Sequence, residues 1–234
     1  MATSIYLAMR LAEFADYQPP PPNAAWMACP FSPEWEQFVC DPPALPPGAI
    51  LILTDEVMPE TPDFKDCSEL ICQVAQAMDC AGVVLDFQKP NTTQTAAFAA
   101  RLVAALPCLV AVSEAYAAGL DCPVFLSPCP HHTPLMEHLA PWQGREVWLD
   151  LAVDAEILTL TPKGADIAPL PLSACPPEGH REERLHCHYS IETGDDFARF
   201  TLWRTTEDVD NLQQAAEASG VHIFVGLRQE LSEK

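Results

Sequence analysis

The chain of 234 residues is long enough to bury one complete hydrophobic core in a single domain. Twelve basic against 33 acidic residues leave a formal charge of −21, which repels nucleic-acid phosphates and anionic lipid headgroups. We therefore expect no nucleic-acid partner and no membrane. Because the first ten residues lack the basic and apolar regions of a secretory signal, the sequence predicts a cytoplasmic protein.

The first 48 residues are rich in proline and irregular. The run from Pro19 to Pro22 is extended and cannot be helical, because proline fixes φ and lacks a backbone N–H. On either side of it, Ser4 to Leu11 is a predicted first strand and Ala24 to Cys29 a weaker second strand.

From residue 49 onward, apolar runs of strand length alternate with helical patterns, which is typical of consecutive βα units. Because these runs are continuously apolar, the strands are predicted to be parallel and covered on both faces. The predicted strands are Ala49 to Thr54, Gly82 to Phe87, Cys108 to Ser113, Pro123 to Ser127, Glu146 to Ala152 and Val221 to Leu227. The predicted helices are Cys67 to Met78, Thr92 to Leu106, Pro134 to Leu139 and Glu207 to Ser219, with a cap at Asn91 or Thr92 and a glycine stop at Gly220.

The pattern changes between the seventh and eighth strands, over residues 153–204. Ile157 to Leu160 and Ile167 to Leu170 predict one hairpin, and His186 to Glu192 and Phe197 to Arg204 predict another around a glycine-containing turn. The sequence therefore predicts a single domain, residues 1–234, folded as a (β/α)8 TIM-like barrel with a β-hairpin insertion before the last helix and strand.

The segment Ala81 to Gln88 is a predicted buried strand that ends in an acid, an aromatic and an amide. It resembles the strand-four motif of family-18 glycoside hydrolases, Asp-Gly-x-Asp-x-Asp-x-Glu, of which Gly82 and Asp86 are matched. The first two acids of the motif fall on Ala81 and Val84, and the catalytic Glu falls on Gln88. The resemblance implies a barrel of the chitinase or spore-hydrolase type, and the replacements imply that its catalytic acid is missing.

The end of the chain is similar to the same family. Spore-hydrolase-type members finish with a hairpin, a Trp-x-x-Asp-like start of the last helix and a closing strand, in the order of Trp203, Glu207 with Asp208, and Val221 to Leu227 here. The family's closing Trp, which lies under the sugar, corresponds to Leu227. The family's supporting strand-six segment, Met-x-Tyr-Asp, aligns with Ser127 to Pro130. Three parts of the family's machinery are therefore replaced.

These replacements predict that the protein does not hydrolyse chitin oligosaccharides, and that it binds a carbohydrate or a small polar ligand instead. Two alternatives stay open. One is an active glycosidase that uses relocated carboxylates such as Glu56, Asp86 or Glu114. The other is a protein-interaction scaffold with a vestigial pocket, whose partner surface is the hairpin insertion and the proline-rich first segment.

The candidate site residues lie at the C-terminal ends of predicted strands, where barrel active sites are built. Asp86 follows a wholly apolar strand, so we expect its carboxylate to be partly buried and hydrogen-bonded, by the Gln88 amide or by backbone N–H groups of a neighbouring loop. The full set of predicted ligand-binding residues is Asp55, Glu56, Asp86, Gln88, Glu114, Asp150 and Trp203. A chain with 33 acids also places several of them at loop starts by chance, where they cap helices or contact water.

We predict no metal and no cofactor. His131 with His132 near Cys129, and His186 with His188 around Cys187, are the two clusters that suggest a metal, but the spacing names no third and fourth ligand. Strand alternation would place His186 and His188 on one face. The ten cysteines are scattered through apolar segments and are predicted to be reduced core thiols. The sequence has no glycine-rich phosphate loop or dinucleotide fingerprint.

Overall fold

The computed structural model describes residues 3–17, 19–32, 45–57 and 64–231. Contacts between Cα atoms divide the chain into two compact units. The first comprises Met1–Ser127, Gly144–Asp150 and His222–Arg228, and the second comprises Pro128–Gln143, Leu151–Val221 and Gln229–Lys234.

Eight parallel strands of the chain close into a barrel. They are β1 (Ser4–Arg10), β2 (Ala24–Ala28), β3 (Ile50–Thr54), β4 (Gly82–Asp86), β5 (Leu109–Ser113), β6 (Val124–Leu126), β7 (Val147–Leu151) and, last in the chain, β13 (Ile223–Leu227). Around the barrel their order is β1-β13-β7-β6-β5-β4-β3-β2. The predicted (β/α)8 fold is confirmed, and the strand of Asp86 is the fourth, since the weak second strand is present.

Side chains that alternate along these strands fall into two apolar clusters, as the two covered faces of a parallel barrel require. The interior cluster consists of Ala8, Ala25, Ile50, Ile52, Val84, Ala111, Phe125, Trp148 and Val225. The alternate residues, among them Leu51, Leu53, Val83 and Leu85, pack with helix residues such as Ile71, Phe98 and Leu102. Gly82 makes room for the Trp148 ring, because a Cβ atom at this position would lie 2.7 Å from Cη2 of that ring. The glycine shared with the family motif thus has a packing reason here.

Among the described residues of the barrel unit, the helices are α1 (Leu11–Asp16), α2 (Phe64–Ala77) and α3 (Thr93–Ala105). Helix α3 is capped by Thr92, whose hydroxyl accepts a hydrogen bond from the Thr95 N–H at 3.2 Å. This settles the choice between Asn91 and Thr92. Helix α1 was not predicted, because the predicted first strand extended to Leu11. The chain instead turns after Arg10, where the Arg10 N–H donates to the Glu13 carboxylate at 2.9 Å.

The second unit is built on an antiparallel sheet of five strands in the order β10-β11-β12-β8-β9. The strands are β8 (Ala155–Thr161), β9 (Gly164–Pro169), β10 (His180–Glu182), β11 (Cys187–Thr193) and β12 (Ala198–Trp203). Both predicted hairpins are present, as β8 with β9 and β11 with β12. The strand β10 and the joining of both hairpins through β12 and β8 were not predicted.

The remaining helices are α4 (Leu135–Leu139), α5 (Thr206–Ala218) and α6 (Arg228–Leu231), with short 3-10 helices at Ala140–Trp142 and Leu172–Ala174. Helix α5 begins with a capping box, in which the Thr205 hydroxyl accepts from the Asp208 N–H and the Asp208 carboxylate accepts from the Thr205 N–H. It ends before Gly220, whose φ of +95° suits glycine. Within the described part of the chain, every helix is too short or too polar to cross a membrane.

Candidate ligand site at the barrel mouth

A layer of polar side chains caps the apolar interior at the C-terminal ends of the barrel strands. Side chains on a strand alternate between its two faces. A residue two positions after a member of the interior cluster therefore lies on the same face of the sheet as that member. This layer, which we call the mouth layer, consists of Arg10, Thr54, Asp86, Ser113 and Asp150. Catalytic and ligand-binding groups of barrel proteins lie at this end of the strands.

Asp86 is a half-buried acid of the mouth layer and lies beside Thr54, its partner in the β3–β4 register. Burial raises the pKa of its carboxyl, the hydrogen bond from the Gln88 side-chain amide opposes that rise, and the nearby Asp55 and Glu56 carboxylates add to it. The net shift is upward. The predicted partial burial and the predicted Gln88 partner are both present. Among the residues that the structure describes, no cation forms an ion pair with Asp86.

Asp55 has a different role from the neighbouring Asp86. Its side chain is 2% exposed, and its two carboxylate oxygens accept hydrogen bonds from the backbone N–H groups of Gln88 at 2.9 Å and Lys89 at 3.0 Å. Asp55 thus fastens the end of β3 to the loop that follows β4. The backbone partners that the sequence suggested for Asp86 belong to Asp55 instead.

The β4–α3 loop is also held from the side of β5. The Ser113 hydroxyl donates to the Phe87 carbonyl at 2.9 Å, and the Tyr116 hydroxyl donates to the Lys89 carbonyl at 2.8 Å. The Asn91 amide adds a bond to the Ala115 carbonyl at 2.8 Å. With both flanks anchored, the backbone that carries Asp86 and Gln88 is pre-organised, while the Gln88 side chain itself is exposed.

A cavity of about 370 Å³ opens beside this layer, at the ends of β1, β2 and β3. It is lined by Arg10, Leu11, Ala12, Trp26, Met27, Ala28, Cys29, Ser32, Thr54 and Glu56. Arg10 and Glu56 provide its charged groups, with Nη2 and Oε1 3.9 Å apart and side chains 71% and 70% exposed. Such an open pair is weak, so both groups are available to a ligand. The sequence reasoning missed Arg10, although its position two residues beyond Ala8 at the end of β1 was the signal.

Two other predicted site residues lie in or directly after other barrel strands. Glu114 is exposed in the turn after β5, and Asp150 is half-buried in β7. Leu227, which takes the place of the family's closing Trp, is half-exposed at the end of β13. The structure thus groups Asp55, Glu56, Asp86 and Gln88 at the ends of β3 and β4.

Trp203 lies in the second unit rather than at the ends of β3 and β4. Its ring is buried and stacks on His188, with ring centroids 5.7 Å apart. A Cβ atom at Gly179 would come within 2.2 Å of the ring, so the glycine permits this packing. Among the other tryptophans, Trp148 fills the barrel interior, Trp26 borders the cavity, and Trp35 lies outside the described residues.

The ionisable groups of the second unit form paired clusters. Asp208 is fully buried and accepts hydrogen bonds from His188 Nδ1 at 2.8 Å and from the Thr205 hydroxyl at 2.7 Å. Burial favours a higher pKa for this carboxyl, but the hydrogen bonds from Thr205 and His188 outweigh it and lower the pKa. Arg181 Nε lies 3.5 Å from the second oxygen. Asp208 therefore serves as a structural anchor for the start of α5.

A second cluster surrounds the buried His131. Its Nε2 lies 3.3 Å from Asp154 Oδ1 and its Nδ1 lies 3.7 Å from Glu156 Oε1, which also contacts His132 at 3.1 Å. Burial favours a lower pKa for His131, but the Asp154 and Glu156 carboxylates prevail and raise it. For Glu156 the two histidines outweigh burial and lower the pKa.

The placement of His186 differs from the sequence prediction. His186 lies before β11 with a φ of +49°, so it does not alternate with His188 along one strand. No group of three or more His, Cys, Asp or Glu side chains in the described ranges is arranged to hold a metal ion. The nine described cysteines are free thiols.

Comparison with known proteins supports the fold. No family model matches the sequence, and no curated protein matches it. Among solved structures, the spore cortex-lytic enzyme SleL of Bacillus cereus is similar over 96% of this chain and 70% of its own, with 10% identity and a TM-score of 0.55. The C-terminal domain of a putative chitinase from Desulfitobacterium hafniense is similar over 97% of this chain and 93% of its own, with 10% identity and a TM-score of 0.57.

A family-18 chitinase from Cycas revoluta, crystallised with (GlcNAc)3, is similar over 96% of this chain and 94% of its own, with 11% identity and a TM-score of 0.57. A double mutant of the Cycas revoluta chitinase, which includes a Glu-to-Gln substitution and was crystallised with (GlcNAc)4, matches over the same shares with 12% identity and a TM-score of 0.57. The chain therefore has the fold of the family-18 glycoside hydrolases, as the resemblance implied.

Proposed function

We propose that the protein binds a carbohydrate chain, or a small polar ligand of similar chemistry, at the barrel mouth without hydrolysing it. The observation that carries this proposal is the pair Asp86 and Gln88. An amide stands where the family motif has its catalytic Glu, and that amide donates a hydrogen bond to the half-buried Asp86.

The amide explains why hydrolysis is not expected. General-acid assistance requires a proton that leaves the side chain, and a carboxamide has no such proton near neutral pH. Loss of this assistance alone costs about 10² to 10⁴ in rate. Val84 and Ala81 also replace the motif's other two acids, so Asp86 is the one acid of the motif that this segment keeps.

Binding is compatible with the same substitution. The amide of Gln88 retains a donor and an acceptor, Asp86 offers a carboxylate, and Arg10 and Glu56 add charged groups at the adjacent cavity. A cavity of this size with a few polar groups suits a small ligand or one part of an oligosaccharide. The Cycas revoluta chitinase mutant with a Glu-to-Gln substitution was crystallised with (GlcNAc)4, so in that protein the exchange is compatible with a bound sugar chain.

The test is calorimetric titration with (GlcNAc)4, followed by mass spectrometry of the sugar after prolonged incubation. We expect heat of binding, about tenfold weaker affinity for Asp86→Ala, unchanged affinity for the exposed control Glu114→Gln, and intact (GlcNAc)4 throughout. Absence of binding to (GlcNAc)4 and to a panel of short polar sugars would contradict the proposal, as would the appearance of shorter oligosaccharides.

One observation favours an active glycosidase as the second candidate. The upward-shifted pKa of Asp86, caused by burial and by Asp55 and Glu56, is a property of general acids. In that case the Gln88→Ala variant would turn over a sugar substrate at an unchanged rate. Turnover would be lost in the Asp86→Asn variant and also in the Glu56→Gln or the Glu114→Gln variant. Product analysis of these variants decides between the two candidates.

A further inference from the structure

The strand β9 forms an open edge of the sheet in the second unit. In the strand order it stands last, and among the strands that the structure describes it pairs with β8 alone. All six of its residues are exposed. An exposed edge strand presents backbone donors and acceptors that a further strand can use.

The backbone groups that face outward from this edge follow from the β8–β9 register. Hydrogen-bonded and non-hydrogen-bonded pairs alternate in an antiparallel ladder. Pro169 has no N–H, so it occupies a non-hydrogen-bonded position, where its backbone nitrogen faces away from the partner strand. Pro169 pairs with Glu156, so the alternate residues Ile167 and Ala165 also direct their N–H and C=O groups away from β8. An added strand would find two backbone donors and two acceptors in line.

One face of the sheet carries an apolar row up to this edge. The register aligns Ile191, Phe200, Leu158 and Ile167 across four strands. The two ends of the row are open, since Ile191 is 52% and Ile167 47% exposed. Leu160, in the next row on the same face, is also exposed. A strand that added to β9 with an apolar side chain opposite Ile167 would lengthen this row and cover its exposed end.

The opposite face of the edge strand carries one acid, Asp166. Across it the register aligns Glu192, Arg199, Thr159 and Asp166. Arg199 is paired with Glu192 at 3.1 Å, whereas Asp166 on the edge strand takes part in no ion pair within the described residues. The net charge of −21 attracts a basic partner and repels a second copy of the chain.

We propose that β9 is a docking edge for an extended segment of a partner protein in which apolar and basic residues alternate. The apolar side chains continue the row that ends at Ile167, and the Lys or Arg side chains lie beside Asp166. Backbone hydrogen bonds to Ala165 and Ile167 hold the segment, as in other cases of strand addition to a sheet edge. This site is independent of the barrel mouth and of the sugar-binding proposal.

The probe is a blocked, fluorescent seven-residue peptide of alternating Lys and Val, titrated into the full chain and followed by anisotropy. Two matched peptides replace Lys by Glu, or methylate the backbone nitrogen of each Val. We expect the basic peptide to bind at least tenfold more tightly than either matched peptide, because one lacks the charge and the other lacks the backbone donors.

Variants separate edge binding from general attraction to an acidic protein. Asp166→Lys should weaken binding of the basic peptide about tenfold, while Glu178→Lys, the same charge change in an exposed loop, should not. Ile167→Pro removes an outward N–H without removing a bond to β8, and should also weaken binding about tenfold. Melting temperatures measured by circular dichroism confirm that each variant is folded, and Asp166→Lys tests the site without touching the backbone.

Equal binding of the three peptides, or equal weakening by Asp166→Lys and Glu178→Lys, would overturn the proposal. Light scattering provides a further decisive outcome. A dimer of the unmodified protein that dissociates in Ile167→Pro would show that a second copy occupies this edge instead of a basic partner.

Discussion

Asp86 in the barrel mouth and two acids of the second unit, Asp208 and Glu156, experience opposite electrostatic environments. Asp86 in the mouth has a raised pKa, whereas Asp208 and Glu156 in the second unit have lowered pKa values. Burial acts in the same direction on all three carboxyls, so the difference lies in their partners. Asp208 and Glu156 accept hydrogen bonds from hydroxyl, backbone or imidazole donors, while Asp86 accepts one from the neutral amide of Gln88.

The comparison gives a physical criterion for the role of an acid. A carboxylate whose charge is stabilised by the fold contributes to stability, while one whose charge the fold disfavours is retained at a cost in stability. Carboxyls of the second kind cluster at functional sites. On this criterion Asp208 and Glu156 are structural, and we propose Asp86 as the mouth residue whose charge a ligand uses.

The largest effect is expected for removal of Asp208. Asp208→Ala leaves His188 and the Thr205 N–H without an acceptor in a fully buried position and destroys the capping box of α5. Loss of the cap costs about 1 kcal/mol, and loss of a hydrogen-bond acceptor with a charged carboxylate costs about 1.5 to 3 kcal/mol more. Urea unfolding followed by circular dichroism measures this loss. The control is Glu207→Ala in the same helical turn, whose exposed ion pair with Arg181 should contribute under about 1 kcal/mol.

The next largest effect is expected for removal of Asp55, whose role differs from that of the other acids at the strand ends. Asp55→Ala leaves the backbone N–H groups of Gln88 and Lys89 unpaired in a buried place, so we expect a loss of about 2 kcal/mol in the free energy of unfolding. At this chain length that loss lowers the melting temperature by about 4 to 8 °C. The adjacent, exposed Glu56→Ala should melt close to the parent protein. Equal effects of the two variants would show that Asp55 does not fasten the β4–α3 loop.

The His131 cluster predicts how stability of the second unit depends on pH. A histidine with a raised pKa in the folded state contributes stability that is fully present below its unfolded pKa of about 6.5 and is lost as the pH rises through the folded value. Amide hydrogen exchange of second-unit residues should therefore report weaker protection as the pH rises above about 6.5, after correction for intrinsic exchange.

Two variants check this assignment. His131→Gln should flatten the pH dependence above about 6.5, whereas the exposed His180→Gln should leave it intact. Burial and the Arg204 guanidinium lower the pKa of His186, so its titration affects stability in a different pH range, below about pH 6.5. A pH dependence above 6.5 that survives His131→Gln would refute the role given to His131.

The smallest effect is expected for Asp86→Asn. Asparagine keeps the shape and the acceptor for Gln88 but removes a charge that burial and the nearby carboxylates disfavour. The free energy of unfolding should therefore change by under about 1 kcal/mol, toward greater stability near neutral pH. Thermal melts at pH 7 test this, and a loss as large as that of Asp55→Ala would place Asp86 among the structural acids.

Much of the fold could be predicted because its signals are local. Apolar runs of strand length fixed six of the barrel strands, and the turn residues near Gly164 and Gly194 located both hairpins of the insertion. The short strand β10 carries only His180, Arg181 and Glu182, which have no apolar pattern, so it was missed. Helix α1 was missed because Leu11 continues the apolar pattern of β1 while the chain turns at Arg10.

The roles within the candidate site depend on contacts that sequence spacing does not show. Asp55 and Asp86 both end buried strands, and a single sequence does not tell which of them meets the N–H of Gln88, which lies 33 positions after Asp55. The burial of the Arg204 guanidinium likewise results from tertiary packing. This group donates hydrogen bonds to the backbone oxygens of Cys129, Pro130, Leu185 and His186. Strand alternation, in contrast, correctly indicated that Asp86 ends a buried strand at the mouth.

The most direct test of the contrast between the two regions is a carboxyl carbon NMR titration that follows Asp86 and Asp208 in one sample, assigned with Asp86→Asn and Asp208→Asn. The account predicts that Asp86 titrates above the ordinary aspartate pKa of about 3.9 and Asp208 below it. It also predicts that (GlcNAc)4 shifts the Asp86 signal and leaves the Asp208 signal unchanged. An Asp86 that titrates at or below the Asp208 value would contradict the account, because the mouth acid would then be stabilised by the fold in the same way as the structural acids.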